Sequence, residues 1–170
     1  MIIVGMGSNI GDREENLRRA LRLLLASGHI KLQQVSPLYE TQPVGFSDQP
    51  TFLNAVAVLA TDLDAERLLA ACLAIEAQMG RVKSRHWGPR NIDIDVLIYH
   101  DLQYQSTALT VPHPRLKERK FVLVPMLEVA GNFIMPDGVF VADVLRGCCG
   151  KETVALYKPT GWEREASSHV

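Results

Sequence analysis

Three things are scarce in this chain of 170 residues: long apolar runs, cysteines that could pair into a framework, and an excess of charge of either sign. No run of eighteen apolar residues occurs, so no segment is suited to cross a bilayer as a helix. The opening MIIVGMGSNIGDREENL lacks a basic lead and meets acids early, which argues against a secretory signal. Three cysteines do not make a disulfide scaffold. Cys72 falls on the apolar side of a helical pattern and reads as a small core residue, while the adjacent Cys148 and Cys149 read as two reduced thiols near a turn. The expected compartment is therefore cytoplasmic. A formal net charge of −1 excludes a broad basic field for nucleic acid or an anionic membrane, so any electrostatic function must be local. A Walker phosphate loop is also missing: GMGSNIGD lacks the closing Lys-Ser/Thr, and GCCGKE fails in spacing and in its last residue.

What is present is an ordinary globular composition, 47% apolar and 22% charged, at a length that suits one core. Residues 1–157 are expected to form a single domain, followed by a polar, frayed tail from 158 to 170. The β-branched start predicts a first strand that stops at a Gly-Ser-Asn turn. Asp12 with Glu15 is a helix-capping pair, after which Leu17, Ala20, Leu21 and Leu24 recur at helical spacing, with Arg18, Arg19 and Arg22 turned outward. A second strand, IKLQQVSPLYET, is interrupted by Pro37; a loop QPVGFSDQP and a third, buried strand TFLNAVAVLAT follow. Asp62 or Asp64 caps a second helix carrying Leu68, Leu69, Cys72, Ile75 and Met79, and Gly80 ends it. A strand begins at Ile92, a helix around Pro125 spans Phe121 to Ala130, and a short one lies within 139–146. The order β-α-β-β-α-β predicts an α+β fold, a mixed or antiparallel sheet covered by helices.

The chemistry concentrates in RVKSRHWGPRNIDIDVLIYH, residues 81–100. Asp93 and Asp95 alternate with Ile92, Ile94 and Val96, so both carboxylates share one face of a strand. Such a pair is either the wet face of a half-exposed strand or a site for a shared divalent cation. Mutual repulsion and the poor strand propensity of Asp need an offset, and Mg²⁺ provides one, since it takes one or two carboxylates and completes its shell with phosphate and water. Arg81, Lys83, Arg85 and Arg90 precede the pair, either as a solvated loop or as clamps for phosphate oxygens that a metal leaves free. A second basic run holds Arg115, Lys117, Arg119 and Lys120, and His113 sits between two prolines in extended backbone. Phe52 and Asn54 share a strand face, and Phe121, two residues after Arg119, is either a core aromatic or a ligand platform.

With WGPRNIDIDVLIY, VPHPRLKERKFVLVPM, GSN after the first strand, YETQPVG, FLNAV and IEAQMGR all present in order, the chain resembles the 6-hydroxymethyl-7,8-dihydropterin pyrophosphokinase family of folate biosynthesis across residues 5 to 125. The resemblance implies a ferredoxin-like α+β fold with a mostly antiparallel sheet, and an ATP-dependent transfer of pyrophosphate to the pterin hydroxymethyl group with release of AMP. It implies two Mg²⁺ ions at Asp93 and Asp95; ATP contacts from Arg81, Lys83, Trp87, Arg90, His113 and Arg119; Glu76 and Thr110 beside the nucleoside; and a pterin pocket of Thr41, Pro43, Val44, Phe52, Asn54, Asp93 and Phe121. Arg81 and Arg90 join the two aspartates as the expected catalytic set. Phe52 stands where some members have Tyr, and Lys83 where some have Arg, which exchanges a planar fork for a point charge. No residue is identified as a general base, and no obligate protein partner is implied. A catalytically silent pterin- or nucleotide-binding protein, a sheet that stacks single-stranded RNA, and an Asp-x-Asp nucleotide-sugar transferase are the alternatives. The paired aspartates oppose a nucleic-acid backbone; Mg²⁺-dependent ATP binding separates the pyrophosphokinase from the RNA module, and turnover separates it from the silent binding protein.

Overall fold

The computed structural model describes residues 1–43, 49–81, 90–150 and 152–164. Alternating and β-branched runs form β1 (Ile2–Ser8), β2 (Ile30–Val35), β3 (Leu38–Thr41), β4 (Phe52–Thr61) and β5 (Asp93–Tyr99). Helices α1 (Arg13–Ala26) and α2 (Ala65–Gln78) each start on an aspartate whose side chain accepts an early backbone N–H, Asp12 from Glu15 and Asp64 from Arg67. Beyond α2, Gly80 takes the left-handed conformation at φ +80°, which lets the chain leave the helix toward β5. The hairpin β6 (Tyr104–Gln105) and β7 (Thr110–Val111), helix α3 (Lys120–Ala130) with Pro125 inside it, α4 (Val141–Gly147) and β8 (Val154–Lys158) complete the chain.

The main sheet is antiparallel, in the order β5-β1-β4-β3-β8, with β2 also paired to β4. With β2 and β3 taken as one interrupted strand, this is the ferredoxin-like arrangement. The interruption at Ser36-Pro37 is sealed by Val56: Ser36 N–H donates to the Val56 carbonyl at 2.9 Å, and Ser36 Oγ accepts the Val56 N–H at 2.9 Å. One face of the sheet buries Ile2, Val4, Met6, Ile92, Ile94 and Val96 against α1 and α2. The other buries Ile3, Val56 and Ile98 under α3 and α4. Between Ile3 and Val4 the register with β5 slips by one, so Leu97 is an extra residue that bulges into the second layer.

β1 ends at Ser8, within the expected Gly-Ser-Asn stretch, with Gly5 and Gly7 inside the sheet. Two expectations change. Arg18 does not face solvent: it is buried, its Nε donating to the Trp162 carbonyl at 2.8 Å and its other nitrogens meeting Glu14 and Glu15. Trp162, within the segment expected to be a polar tail, is fully buried and donates from Nε1 to the Ser36 carbonyl at 2.9 Å. Hydropathy patterns see neither, because both depend on a partner more than a hundred residues away.

Candidate active site

Asp93 and Asp95 emerge from β5 on the face opposite Ile94, beside α3 rather than α1 and α2. Their neighbours across β1 are glycines, Gly7 opposite Asp93 and Gly5 opposite Asp95. On the far side of β1, Gly7 pairs with Asn54 and Gly5 with Val56. Absent side chains at these two positions open a trough across three strands. A Cβ on Gly7 would lie 3.1 Å from Asn54 Oδ1, and one on Gly5 would lie 3.2 Å from the bulged Leu97. The resulting cavity of ≈ 70 Å³ has these glycines and Leu97 along its floor and Phe52, Asn54, Thr41, Arg90, Arg119, Phe121 and the two aspartates around it.

Asn54 is nearly buried, and its Nδ2 donates to Thr41 Oγ1 at 2.8 Å, which turns Oδ1 toward the trough as an acceptor. Phe52 lies beneath the Arg90 guanidinium, 5.8 Å from ring centre to Cζ; Phe121 stands in the same relation to Arg119 at 5.7 Å. Each wall of the slot thus joins an aromatic to a cation.

The carboxylates are already engaged by arginine. Arg81 Nη1 lies 2.9 Å from Asp93 Oδ1 and also pairs with Glu76; Arg90 Nη1 lies 3.4 Å from Asp93 Oδ2; Arg119 Nη1 lies 2.9 Å from Asp95 Oδ2. Burial and then the charge of Asp95 raise the pKa of Asp93, and Arg90, Arg81 and Arg119 counter this only in part. Two carboxylates do not make a complete protein cage, and among the described residues no group of three His, Cys, Asp or Glu is arranged to hold a metal ion by itself. That donor set fits a hard cation sharing its shell with substrate oxygens.

His113 follows the β6–β7 hairpin and is tied along β5 by its N–H, which donates to the Leu97 carbonyl at 2.9 Å. Its Nδ1 accepts the Arg115 N–H at 3.1 Å, so Nε2 carries the proton and faces Asp95 Oδ2 at 3.9 Å. Burial lowers its pKa against the opposing charge of Asp95, with Arg119 and Arg115 adding to the effect, which favours the neutral ring and an N–H donor over a charge. Glu76 does not line the cavity. It is 4% exposed under β5, where Oε1 accepts the Ile94 N–H at 2.7 Å and Oε2 holds Arg81. Thr110 in β7 and Pro43 also lie outside the cavity lining. Lys83, Arg85, Trp87 and Val44 fall outside the described residues. The two glycines were not singled out as site residues; their signal was the spacing Gly-x-Gly in a strand, which places both on one face.

Residues 3–131 match the family described as 7,8-dihydro-6-hydroxymethylpterin-pyrophosphokinase (HPPK). The chain is 44% identical over 161 residues to the 2-amino-4-hydroxy-6-hydroxymethyldihydropteridine pyrophosphokinase of Methylorubrum extorquens, covering 95% of this chain and 96% of that one. It is 45% identical over 133 residues to the folic acid synthesis protein fol1 of Schizosaccharomyces pombe, where it spans 18% of the longer protein. Among solved structures, wild-type HPPK-DHPS of Plasmodium falciparum superposes with a TM-score of 0.68 at 13% identity, over 86% of this chain and 44% of that one, a likeness of fold.

Proposed function

The chain belongs to the 7,8-dihydro-6-hydroxymethylpterin-pyrophosphokinase family, and from that premise we propose that it transfers the β,γ-pyrophosphoryl group of ATP to the hydroxymethyl group of 6-hydroxymethyl-7,8-dihydropterin, releasing AMP. The observation that carries this reading is the trough itself, which gathers two sets of groups: Phe52 and Phe121 with the Asn54 amide, and two carboxylates ringed by three arginines. A pterin ring stacks in the first, with Asn54 Oδ1 accepting from its N–H edge. A polyphosphate suits the second. Arg81, Arg90 and Arg119 exchange part of their pairing with Asp93 and Asp95 for phosphate oxygens, and His113 donates from Nε2. Thr110 is assigned to the nucleoside, and Glu76 acts through Arg81.

Asp93 and Asp95 would hold Mg²⁺, two ions with ATP, which neutralises phosphate charge and polarises the reacting oxygens. The residues of this chain do the remaining work. The slot aims the hydroxymethyl oxygen at the β-phosphorus, an O–P bond forms there as the hydroxyl proton is given up to solvent, and the bond from that phosphorus to the bridging oxygen, which leaves with AMP, breaks. Positioning and charge neutralisation account for most of the rate in such a transfer, so no protein base is required by the geometry.

The test is AMP release from ATP and Mg²⁺, with and without the dihydropterin, in the wild type and in Asp95→Ala. Pterin-dependent AMP that falls by at least about a hundredfold in the variant, about 2.7 kcal/mol of barrier, is expected. ADP in place of AMP would mean that the γ-phosphorus is attacked, and the reading would fall.

A further inference from the structure

The triplet Gly7-Ser8-Asn9 contributes to the family resemblance, and Gly7 opens the trough, yet Asn9 has no part in the transfer chemistry above. It is 1% exposed, in the turn after β1, and its polar groups work in two directions. Its backbone N–H donates to the Arg90 carbonyl at 3.1 Å, and its Oδ1 accepts the Arg90 N–H at 2.8 Å, so both main-chain polar groups of Arg90 are committed to this one residue. In the other direction, Nδ2 donates to the Pro50 carbonyl and to Gln49 Oε1, each at 3.3 Å. These partners settle the amide orientation, since a main-chain N–H needs an oxygen and a carbonyl needs an N–H.

The turn that carries Asn9 is held by α1. Asn16 Nδ2 donates to the Ile10 carbonyl at 2.9 Å and to Ser8 Oγ at 3.2 Å. Arg13 reaches the same incoming segment as Asn9, donating to the carbonyl and Oγ1 of Thr51 at 2.9 and 2.7 Å. Phe52 follows directly, with the Arg90 guanidinium over its ring. Arg90 belongs to no strand, so its backbone is registered against the site through Asn9 rather than through a sheet ladder.

We infer that Asn9 is a positioning residue that holds Arg90 and the segment entering Phe52 in fixed relation, coupling the phosphate side of the site to the pterin side. The inference rests on the assignment of Arg90 and Phe52 to those two sides. It needs no contact between Asn9 and substrate. Displacement of a clamp by about 1 Å is enough to cost about a hundredfold in a reaction governed by orientation.

Asn9→Asp and Asn9→Ala separate the two arms. Aspartate keeps an oxygen for the Arg90 N–H but has no N–H for Pro50 or Gln49; alanine loses both arms. The readouts are hydrogen exchange at the Arg90 amide, dissociation constants for the dihydropterin and for ATP with Mg²⁺, and kcat. In Asn9→Asp, Arg90 protection and ATP affinity are expected to stay within about twofold of wild type while pterin affinity falls about tenfold, the size of one lost hydrogen bond. In Asn9→Ala, Arg90 protection is lost, both affinities fall and kcat drops at least about tenfold. An alanine variant with a lower unfolding midpoint but unchanged affinities and kcat would overturn the inference, as would identical profiles for the two variants. If wild type turned over no nucleotide, the proposed reaction would fail, while the exchange and binding comparison would still decide the role of Asn9.

Discussion

Burial and the neighbouring Asp95 raise the pKa of Asp93, and three arginines offset this only in part. Its pairing with Arg81 and Arg90, and that of Asp95 with Arg119, fixes each cation in place, as the clamps of the proposed phosphate site need. Glu76 contributes differently. Its carboxylate is buried, satisfies the main-chain N–H of Ile94 between the two aspartates, and keeps Arg81 in place. Burial raises its pKa above the ordinary 4.5, and the nearby Asp93 adds to this against Ile94 and Arg81. A carboxyl raised in the fold favours folding while protonated, so its contribution is present below about 4.5 and is lost as pH rises through the higher folded value. The stability of Glu76→Gln relative to wild type should therefore rise with pH above about 4.5, because glutamine keeps the acceptor for Ile94 without the charge. Urea unfolding at several pH values measures this, and a difference independent of pH would refute it. Glu76→Ala, which orphans the Ile94 N–H, should lose about 1–3 kcal/mol.

Strand β1 shows how an element contributes by what it omits. Gly5 and Gly7 face the cavity between the aspartates on β5 and Asn54 on β4, and the trough exists because nothing projects there. The methyl group of Gly7→Ala would press on Asn54 Oδ1, the acceptor proposed for the pterin edge. Overpacking of this kind costs about 1–3 kcal/mol. Pterin KM should rise about tenfold or more while ATP KM stays within twofold, as steady-state kinetics with each substrate varied in turn will check. Equal changes in both would indicate general distortion of the sheet. The spacing of these glycines and the strand that holds them were legible, but their role as the floor of a trough was not, because it depends on which residues of β4 and β5 pair on either side. Asp93 and Asp95 were legible as a pair, since strand alternation alone sets their common face.

The molecule as a whole is closed by its C-terminal segment. β8 extends the sheet beyond β3, and Glu152 just before it accepts the Lys120 N–H at 2.7 Å, capping the helix that carries Phe121. Trp162 fills the α1 side of the core and ties Arg18 to the Ser36 junction. Trp162→Ala should destabilise the fold by about 3–5 kcal/mol, the cost of a large core cavity, with KM for both substrates nearly unchanged because the residue lies on the sheet face opposite the trough. Denaturant midpoints and kinetics on the same preparation test this. A selective loss of substrate affinity would show that the segment acts on the site instead.

Order and periodicity in the sequence were enough for the α+β class, the succession of the first strands and helices, the cap at Asp12, the second cap to within Asp62 or Asp64, and the acidic pair on β5, since these depend on residues a few positions apart. Tertiary structure decided what depends on distant partners: the burial of Arg18 and Trp162, the use of Glu76 beneath β5 rather than in the cavity, the glycine floor, and the grip of Asn9 on two segments far from it in the chain. Local patterns report which face a side chain takes, whereas the identity of its neighbour is set only when strands pair and helices cover them.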